Sequence, residues 1–550
     1  LFPDISLQIN YFTAMAARSA IAPARWRRPF LLWLDGIEKG WGIPLLIAGF
    51  AAIWLLFFII AYQSGDLHAD ALETWVVGRD FAWGNAKHPP LMGWVAWLWT
   101  RLFPLTDWSF QLLAMANTAL ALWAVDLIAR RFVRGDGRAV VLLLLMMLPA
   151  YQFHAQRFNA NTVLLAVWPF ATWCFLRAFE TRTPAWSAAA GALAAVAMLG
   201  KYYSVFLVAS FALAALLHPQ RAGYFRSWSP WISTLVGLVV LGPHLHWLAT
   251  TGATPFSYAM QIHGGVAFGQ SITEALMFLL GLGATMALPA LVWVLSAETR
   301  LRRLPADFRA MNAGLQLLFW IFIGTVALPV VTTVVVGTDM PSLWALQGLF
   351  LASILIVCGA SYALERLYVV NMMVLVGGIA VLAVTVAAPI HAIYRNNAGA
   401  NDRTYYRLAV AELTRRWHAA TEQPLPAVSG DDALAFAAAF YSPDHPRYAR
   451  QFRYQYNWGM PRIATLQKGW AAMCFADDAQ CLGWMTGVTA IAPHYARFDF
   501  TVTPQLWGRP GKPGHVAALM VLPRTAATGS PAPLPASGGA EDFGASQRIR

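Results

Sequence analysis

The sequence predicts a polytopic α-helical membrane protein of about eleven transmembrane helices that ends in a small soluble α/β domain. Three observations carry this. Apolar runs of about 15 to 20 residues recur from residue 44 to residue 390, the length on which a helix crosses about 30 Å of hydrocarbon. Only 12% of the 550 residues are charged, against about 25% in soluble globular chains. Beyond Arg395 the composition becomes ordinary and polar.

Residues 1–23 hold no continuous apolar core ahead of a small-residue site, so a cleavable signal peptide is not expected. Residues 25–43 read as a basic amphipathic segment at the interface, and 1–43 form a cytoplasmic and interfacial lead-in. Spans follow at 44–62, 108–129, 139–150, 161–178, 185–200, 203–217, 230–249, 273–297, 314–334, 343–363 and 368–388. Eleven is odd, as is the upper count of thirteen, so the two ends of the chain lie on opposite sides.

Charge placement sets the orientation. Basic residues concentrate in short segments: Arg25, Arg27, Arg28 and Lys39; Arg130, Arg131, Arg134 and Arg138; Arg221 and Arg226; Arg300, Arg302, Arg303 and Arg309. This is the cytoplasmic bias of a multi-pass protein, and it accounts for the net charge of +12 without a nucleic-acid partner. The loops at 63–107, 151–160, 250–272 and 335–342 then face the periplasm of a bacterial inner membrane, with everything after 389.

The first of these loops is too long for a turn. Its Trp-rich part, 91–103, is bracketed by Pro89-Pro90 and Arg101 and is too short to span, so it reads as an interfacial or re-entrant helix. In the C-terminal domain, 391–524, a helix is expected at 404–418 and a strand at 425–428. Residues 429–432 (Ser-Gly-Asp-Asp) cap a helix at 433–441, and strands are expected at 470–475, 489–491, 496–502 and 515–522. Residues 525–550, rich in Ala, Gly, Ser and Pro, read as a disordered tail. Cys174 and Cys358 fall in apolar runs as packing residues. Cys474 and Cys481 lie in the polar domain and form a disulfide if that domain is on the oxidising side, where the topology puts it.

Chemistry gathers in the 63–107 loop. Asp66, His68, Asp70, Glu73, Arg79, Asp80, Lys87 and His88 follow closely on the first span. A helix starting near Asp70 puts Asp70 and Glu73 on one face, a turn apart. Pro89-Pro90 stiffens the chain beside Lys87 and His88. Asn159 and Asn161 sit where a second loop re-enters the membrane, Lys201, Tyr202 and Tyr203 at another edge, and His263 in a third loop. Polar groups at a membrane edge are costly unless paired or used. His244 and His246, near a helix end, read as structural. An acid beside Lys, Arg and His suits displacement of a phosphate leaving group: the carboxylate takes an acceptor proton and the cations balance departing charge. The chain has no P-loop, no GxGxxG opening a helix and no GxSxG, so neither a nucleotide donor nor a serine nucleophile is indicated.

The stretch Asp70-x4-Trp75-x3-Arg79, followed by Phe81-Ala82-Trp83-Gly84-Asn85-x2-His88-Pro89-Pro90-Leu91, resembles the first periplasmic loop of bacterial family-39-like glycosyltransferases. These are GT-C membrane enzymes, relatives of the protein O-mannosyltransferases and of the aminoarabinose transferase that modifies lipid A. Asn161-x2-Leu164-Leu165-x2-Trp168, Gly191 through Lys201-Tyr202, and Gly242-Pro243-x3-Trp247 leading to Phe256 and His263 continue the likeness over about residues 45–390. The resemblance implies inverting transfer of a sugar from a polyprenyl-phosphate donor, with undecaprenyl phosphate as carrier, to lipid A or another envelope lipid or glycan. The family's acid falls on Asp70 as catalytic base; Glu73, Asn161 and His68 shape the acceptor side. Arg79, Lys87, His88, Lys201 and Tyr202 contact the donor phosphate. The acid that often precedes the His-Pro-Pro run falls on Lys87, and the acid of the second loop on Asn161. A histidine that in related enzymes helps hold a divalent metal falls on His263. Two other classes predict different things. A lipid-linked sugar transporter or flippase needs charges near the membrane midplane. A non-catalytic envelope-assembly scaffold fits the replaced acids at Lys87 and Asn161.

Overall fold

In a computed structural model the described residues run from 25 to 523, except 64, 86, 253–254, 256–263, 297–303, 340–343, 345, 360–363, 399–404, 450–467 and 490–493. Each of the eleven predicted spans contains a helix among its described residues. Among the described residues six helices are long and apolar enough to cross a membrane: Gly42–Ala61, Asp107–Ala129, Ser229–Thr251, Phe268–Ser296, Ala313–Val336 and Arg366–Asn397. The other five are shorter or more polar: Asp136–Met146, Leu164–Thr181, Pro184–Gly200, Val205–Leu217 and Leu346–Cys358. The protein is a multi-pass membrane protein.

Burial separates the helices by role. Val140 to Leu145 are essentially inaccessible, which makes Asp136–Met146 the centre of the bundle. Ser229–Thr251 and Phe268–Ser296 instead expose Leu235, Val239, Leu276 and Leu280. Lipid tails solvate such side chains, so helices pair in the bilayer by close approach and hydrogen bonds rather than by apolar burial. Pro184–Gly200 shows this: a Cβ on Gly191 would meet the Ser233 carbonyl oxygen at 2.0 Å. The Ser187 and Ser229 hydroxyls bond at 2.6 Å along the same seam.

Ion pairs mark the end of the bundle that holds the Arg-rich loops. Arg138 makes a two-pronged bond to Asp126 at 2.9 and 2.6 Å, and Arg366 bridges Asp35 at 2.8 Å and Asp136 at 3.1 Å. Helix Leu91–Leu102 is the expected Trp-rich short helix, and Arg28–Glu38 forms a helix within the amphipathic segment 25–43.

At the other end the C-terminal residues form a five-stranded sheet in the order β2-β1-β3-β7-β4. The strands are β1 (Ala427–Gly430), β2 (Arg447–Tyr448), β3 (Trp470–Phe475), β4 (Tyr495–Val502) and β7 (Gly514–Val521), with β5 (Gln505–Leu506) and β6 (Arg509–Pro510) a separate ribbon. β1 runs parallel to β2 and β3, while β7 pairs antiparallel with both β3 and β4. β3 is central and buried at every residue, as its unbroken apolar run requires. Edge strand β4 alternates, burying Phe498 and Phe500. Helices Tyr406–Ala420 and Asp432–Tyr441 pack on this sheet, and Asp431 caps the second by accepting the Ala433 amide at 3.0 Å. Of the strand expected at 489–491, Thr489 instead ends helix Ala479–Thr489, and 490–491 lie outside the described residues. That helix puts Cys481 against β3, where it forms the expected disulfide with Cys474. The tail 525–550 also lies outside the described residues.

Candidate active site

The site starts with helix Ala69–Gly78. His68 caps it, its Nδ1 accepting the Asp70 amide at 3.1 Å, and the acid in the first turn suits the helix dipole. The buried Thr74 hydroxyl lies 3.0 Å from the Phe158 carbonyl, fastening the helix to the second loop. At its far end Gly78 crosses Gly93 of helix Leu91–Leu102 so closely that a Cβ on Gly78 would sit 2.2 Å from the Gly93 carbonyl oxygen. Between them the Asn85 side-chain oxygen accepts the amides of Lys87 and His88, both at 2.9 Å. That turn and Pro89-Pro90 aim the two basic side chains back at the first helix.

The Asp70 side chain is 38% exposed. Asn159 donates its side-chain Nδ2 to the carboxylate at 2.9 Å. The Asn159 oxygen is taken by the amides of Asn161 at 2.9 Å and Thr162 at 3.1 Å, so its nitrogen is the group left to face Asp70. Burial pushes the Asp70 carboxyl up, but His68 and Asn159, with the Arg157 charge behind them, outweigh it and hold the group well below the usual carboxylate range. His68 Nδ1, 3.5 Å from the carboxylate, exerts that pull when the ring is protonated, and in the neutral ring it accepts the Asp70 amide instead; Asn159 is the donor present in either state.

Lys201 and His88 lie close enough to feel the Asp70 charge. Helix Pro184–Gly200 stops at Lys201, which turns extended before Val205–Leu217 begins. Its Nζ lies 3.4 Å from His88 Nδ1. Burial and the charges of Lys201 and Lys87 press the His88 ring well below its ordinary pKa. The ring is therefore neutral and accepts from Lys201. Burial and Lys87 lower Lys201 to about 8, against the pull of Glu73 and Asp70. At neutral pH it is a cation with a proton it can lose.

The remaining predicted residues take other places. Lys87 is a bridge: its Nζ lies 2.9 Å from Glu73 Oε1 and 3.8 Å from Asp432 Oδ2 of the C-terminal domain. Arg79 is turned from the Lys201–His88 pair toward that domain, donating to the Pro446 carbonyl at 3.1 Å and lying over the Trp75 ring. Tyr202 donates to His244 Nε2 at 2.9 Å, because His244 Nδ1 gives its proton to the Trp83 carbonyl at 2.6 Å. This braces the first loop against helix Ser229–Thr251, the structural role expected of His244. Asn161 accepts from the Tyr203 hydroxyl at 3.3 Å; its neighbour Asn159 is the residue that touches Asp70. His263 lies outside the described residues. Among the described residues no three His, Cys, Asp or Glu side chains gather as a metal site. Beside His88 stands the Lys87 ammonium, which repels a divalent cation, so the described residues do not fit one.

Sequence reasoning missed Asp432 and Arg157. Asp432 read only as a first-turn acid, and nothing local signals that it meets Lys87. A cavity of about 480 Å³ lies between helices Gly42–Ala61 and Asp107–Ala129 and the C-terminal domain, lined by Tyr62, Asp107, Trp108, Arg407 and Tyr441 among others. None of the predicted site residues lines it.

Residues 87–247 match the family described as dolichyl-phosphate-mannose-protein mannosyltransferase. Two solved structures of ArnT from Cupriavidus metallidurans share the fold. The one bound to undecaprenyl phosphate is 13% identical with a TM-score of 0.54, over 86% of this chain and 98% of that one. The apo form is 14% identical with a TM-score of 0.53, over 87% and 98%. No curated protein matches the chain by sequence. The resemblance drawn from the motifs is borne out at the level of fold: the chain shares the fold of these structures, a multi-pass helical bundle with a C-terminal domain at one end.

Proposed function

We propose that the protein is an inverting glycosyltransferase that moves a sugar from a polyprenyl-phosphate donor to a lipid or other envelope acceptor, at the periplasmic face of a bacterial inner membrane. The observation that carries this reading is the convergence of Asp70 with the Lys201–His88 pair from two segments of the chain, with Asn159 of a third bonded to Asp70. The undecaprenyl phosphate bound in the ArnT structure supports a lipid-linked donor of that class.

In this account the acceptor oxygen attacks the anomeric carbon while the bond from that carbon to the phosphate oxygen breaks. The phosphate leaves with the bonding electrons, and Lys201 meets its growing negative charge, which a desolvated cation does far better than one in water. Asp70 takes the acceptor proton. A carboxylate of such low proton affinity is a poor base toward a free hydroxyl. It serves here by orienting the hydroxyl and accepting the proton late, once the forming C–O bond has made the oxygen acidic. Neutral His88 holds Lys201 without cancelling its charge.

The test is transfer from a panel of polyprenyl-phosphate sugars to membrane lipids by full-length protein in liposomes. Transfer supports the reading. Absence of transfer from every donor, by folded protein that binds one, favours transport or scaffolding instead.

A further inference from the structure

We propose that Asp432, carried by the C-terminal domain, is a positioning residue of the active site: together with Glu73 it fixes the Lys87 ammonium beside the Lys201–His88 pair, so the soluble domain completes the site. This rests on the glycosyl-transfer reading above.

The placement is specific. Asp431, not Asp432, caps helix Asp432–Tyr441. The Tyr448 hydroxyl donates to Asp432 Oδ1 at 2.6 Å, while Oδ2 is the oxygen 3.8 Å from Lys87. Lys87 thus lies between two carboxylates from two parts of the chain, and all three side chains are largely covered, at 16%, 12% and 20% exposure for Lys87, Glu73 and Asp432. A covered ion pair that loses one partner leaves a charge uncompensated, unlike a surface pair.

The surrounding seam holds the domain in register. Tyr441 accepts the Leu67 amide at 3.0 Å and donates to Asp107 at 2.9 Å. Arg447 pairs with Asp80 at 3.1 Å, Arg79 bonds Pro446, and Trp75 meets Phe440 edge-to-face at 5.7 Å. The same segment of the C-terminal domain, 432–448, therefore grips the catalytic loop at several points and carries the acid to its centre.

Its effect reaches Lys201 through Lys87. The charged and titratable groups facing Lys201 are Glu73 and Asp70 on the first helix and Lys87 and His88 on the following turn. With Asp432 gone, Lys87 is less compensated and draws Glu73 to itself. Both changes make the Lys201 cation harder to keep, so the pH at which it is lost falls.

The experiment compares wild type, Asp432→Asn, Asp432→Glu and the Lys87→Gln pair of variants, full-length in liposomes, by transfer rate against pH and by amide exchange over residues 85–88. Asp432→Asn is expected to lower kcat about fivefold with little change in donor KM, and to move the alkaline limb down by about half a pH unit. It should also speed exchange at Lys87 and His88. Asp432→Glu should recover most of the rate, and Asp432→Asn should add little in the Lys87→Gln background. Unchanged kcat, pH profile and exchange, or fully additive effects with Lys87→Gln, overturn the proposal. If wild type transfers no sugar, the glycosyl-transfer reading fails, and exchange at Lys87 and His88 alone still decides whether Asp432 holds the turn.

Discussion

Asn159 donates its side-chain amide to the Asp70 carboxylate at 2.9 Å, joining loops 89 residues apart in the chain. The bond is directional, because the Asn159 oxygen is already held by two backbone amides. Asn159→Ala should therefore free the Asp70 rotamer and lower kcat about tenfold, with donor KM changed less than about twofold. Asn159→Asp should be worse, since two carboxylates at hydrogen-bond distance cannot both stay ionised. Steady-state kinetics on both variants checks this.

Lys201 sets a pH dependence of known sign. Its pKa is lowered to about 8, so the cation is present below that pH and lost as pH rises through it. Transfer should fall on the alkaline side of about pH 8. Lys201→Arg, whose guanidinium keeps its charge, should remove that limb even if its maximal rate is lower. A limb that stays in place in Lys201→Arg would assign it to another group.

The contact between Gly78 and Gly93 leaves no room for a methyl group. A Cβ on Gly93 would also fall 2.9 Å from Gly78 Cα. Gly78→Ala or Gly93→Ala should cost about 1–3 kcal/mol through forced separation of the two short helices. Since those helices carry Asp70 and frame the Lys87–His88 turn, activity should fall with thermal stability in the same variant.

The disulfide between Cys474 and Cys481 ties helix Ala479–Thr489 to β3. Cys474→Ser, or reduction, should destabilise the C-terminal domain by about 2 kcal/mol, the entropy scale of a short closed loop. Denaturant unfolding followed by the tryptophans of this domain, with and without reductant, measures it.

The spans were legible because each is a long apolar run. Boundaries drifted where a helix is short: the run at 139–150 is helix only for Asp136–Met146, then a tight turn at Pro149–Tyr151. Three residues carry no period, so Thr489 reads as the start of a strand, whereas it closes helix Ala479–Thr489. In the site, the residues of the 63–107 loop were found by their density, and Lys201 by its interruption of an apolar run. Asp432 left no such signal. Its partner is fixed by how a soluble domain docks on a membrane bundle, and local patterning does not encode that. The direction of Arg79 was hidden for the same reason.

The central claim is that Asp70 engages the acceptor opposite a cation that takes the leaving phosphate. The most direct measurement is sugar transfer by wild type and Asp70→Asn in liposomes, alongside binding of the polyprenyl-phosphate donor to each. The account predicts transfer reduced at least about a thousandfold in Asp70→Asn, with donor binding retained. Equal transfer by the two proteins would contradict it.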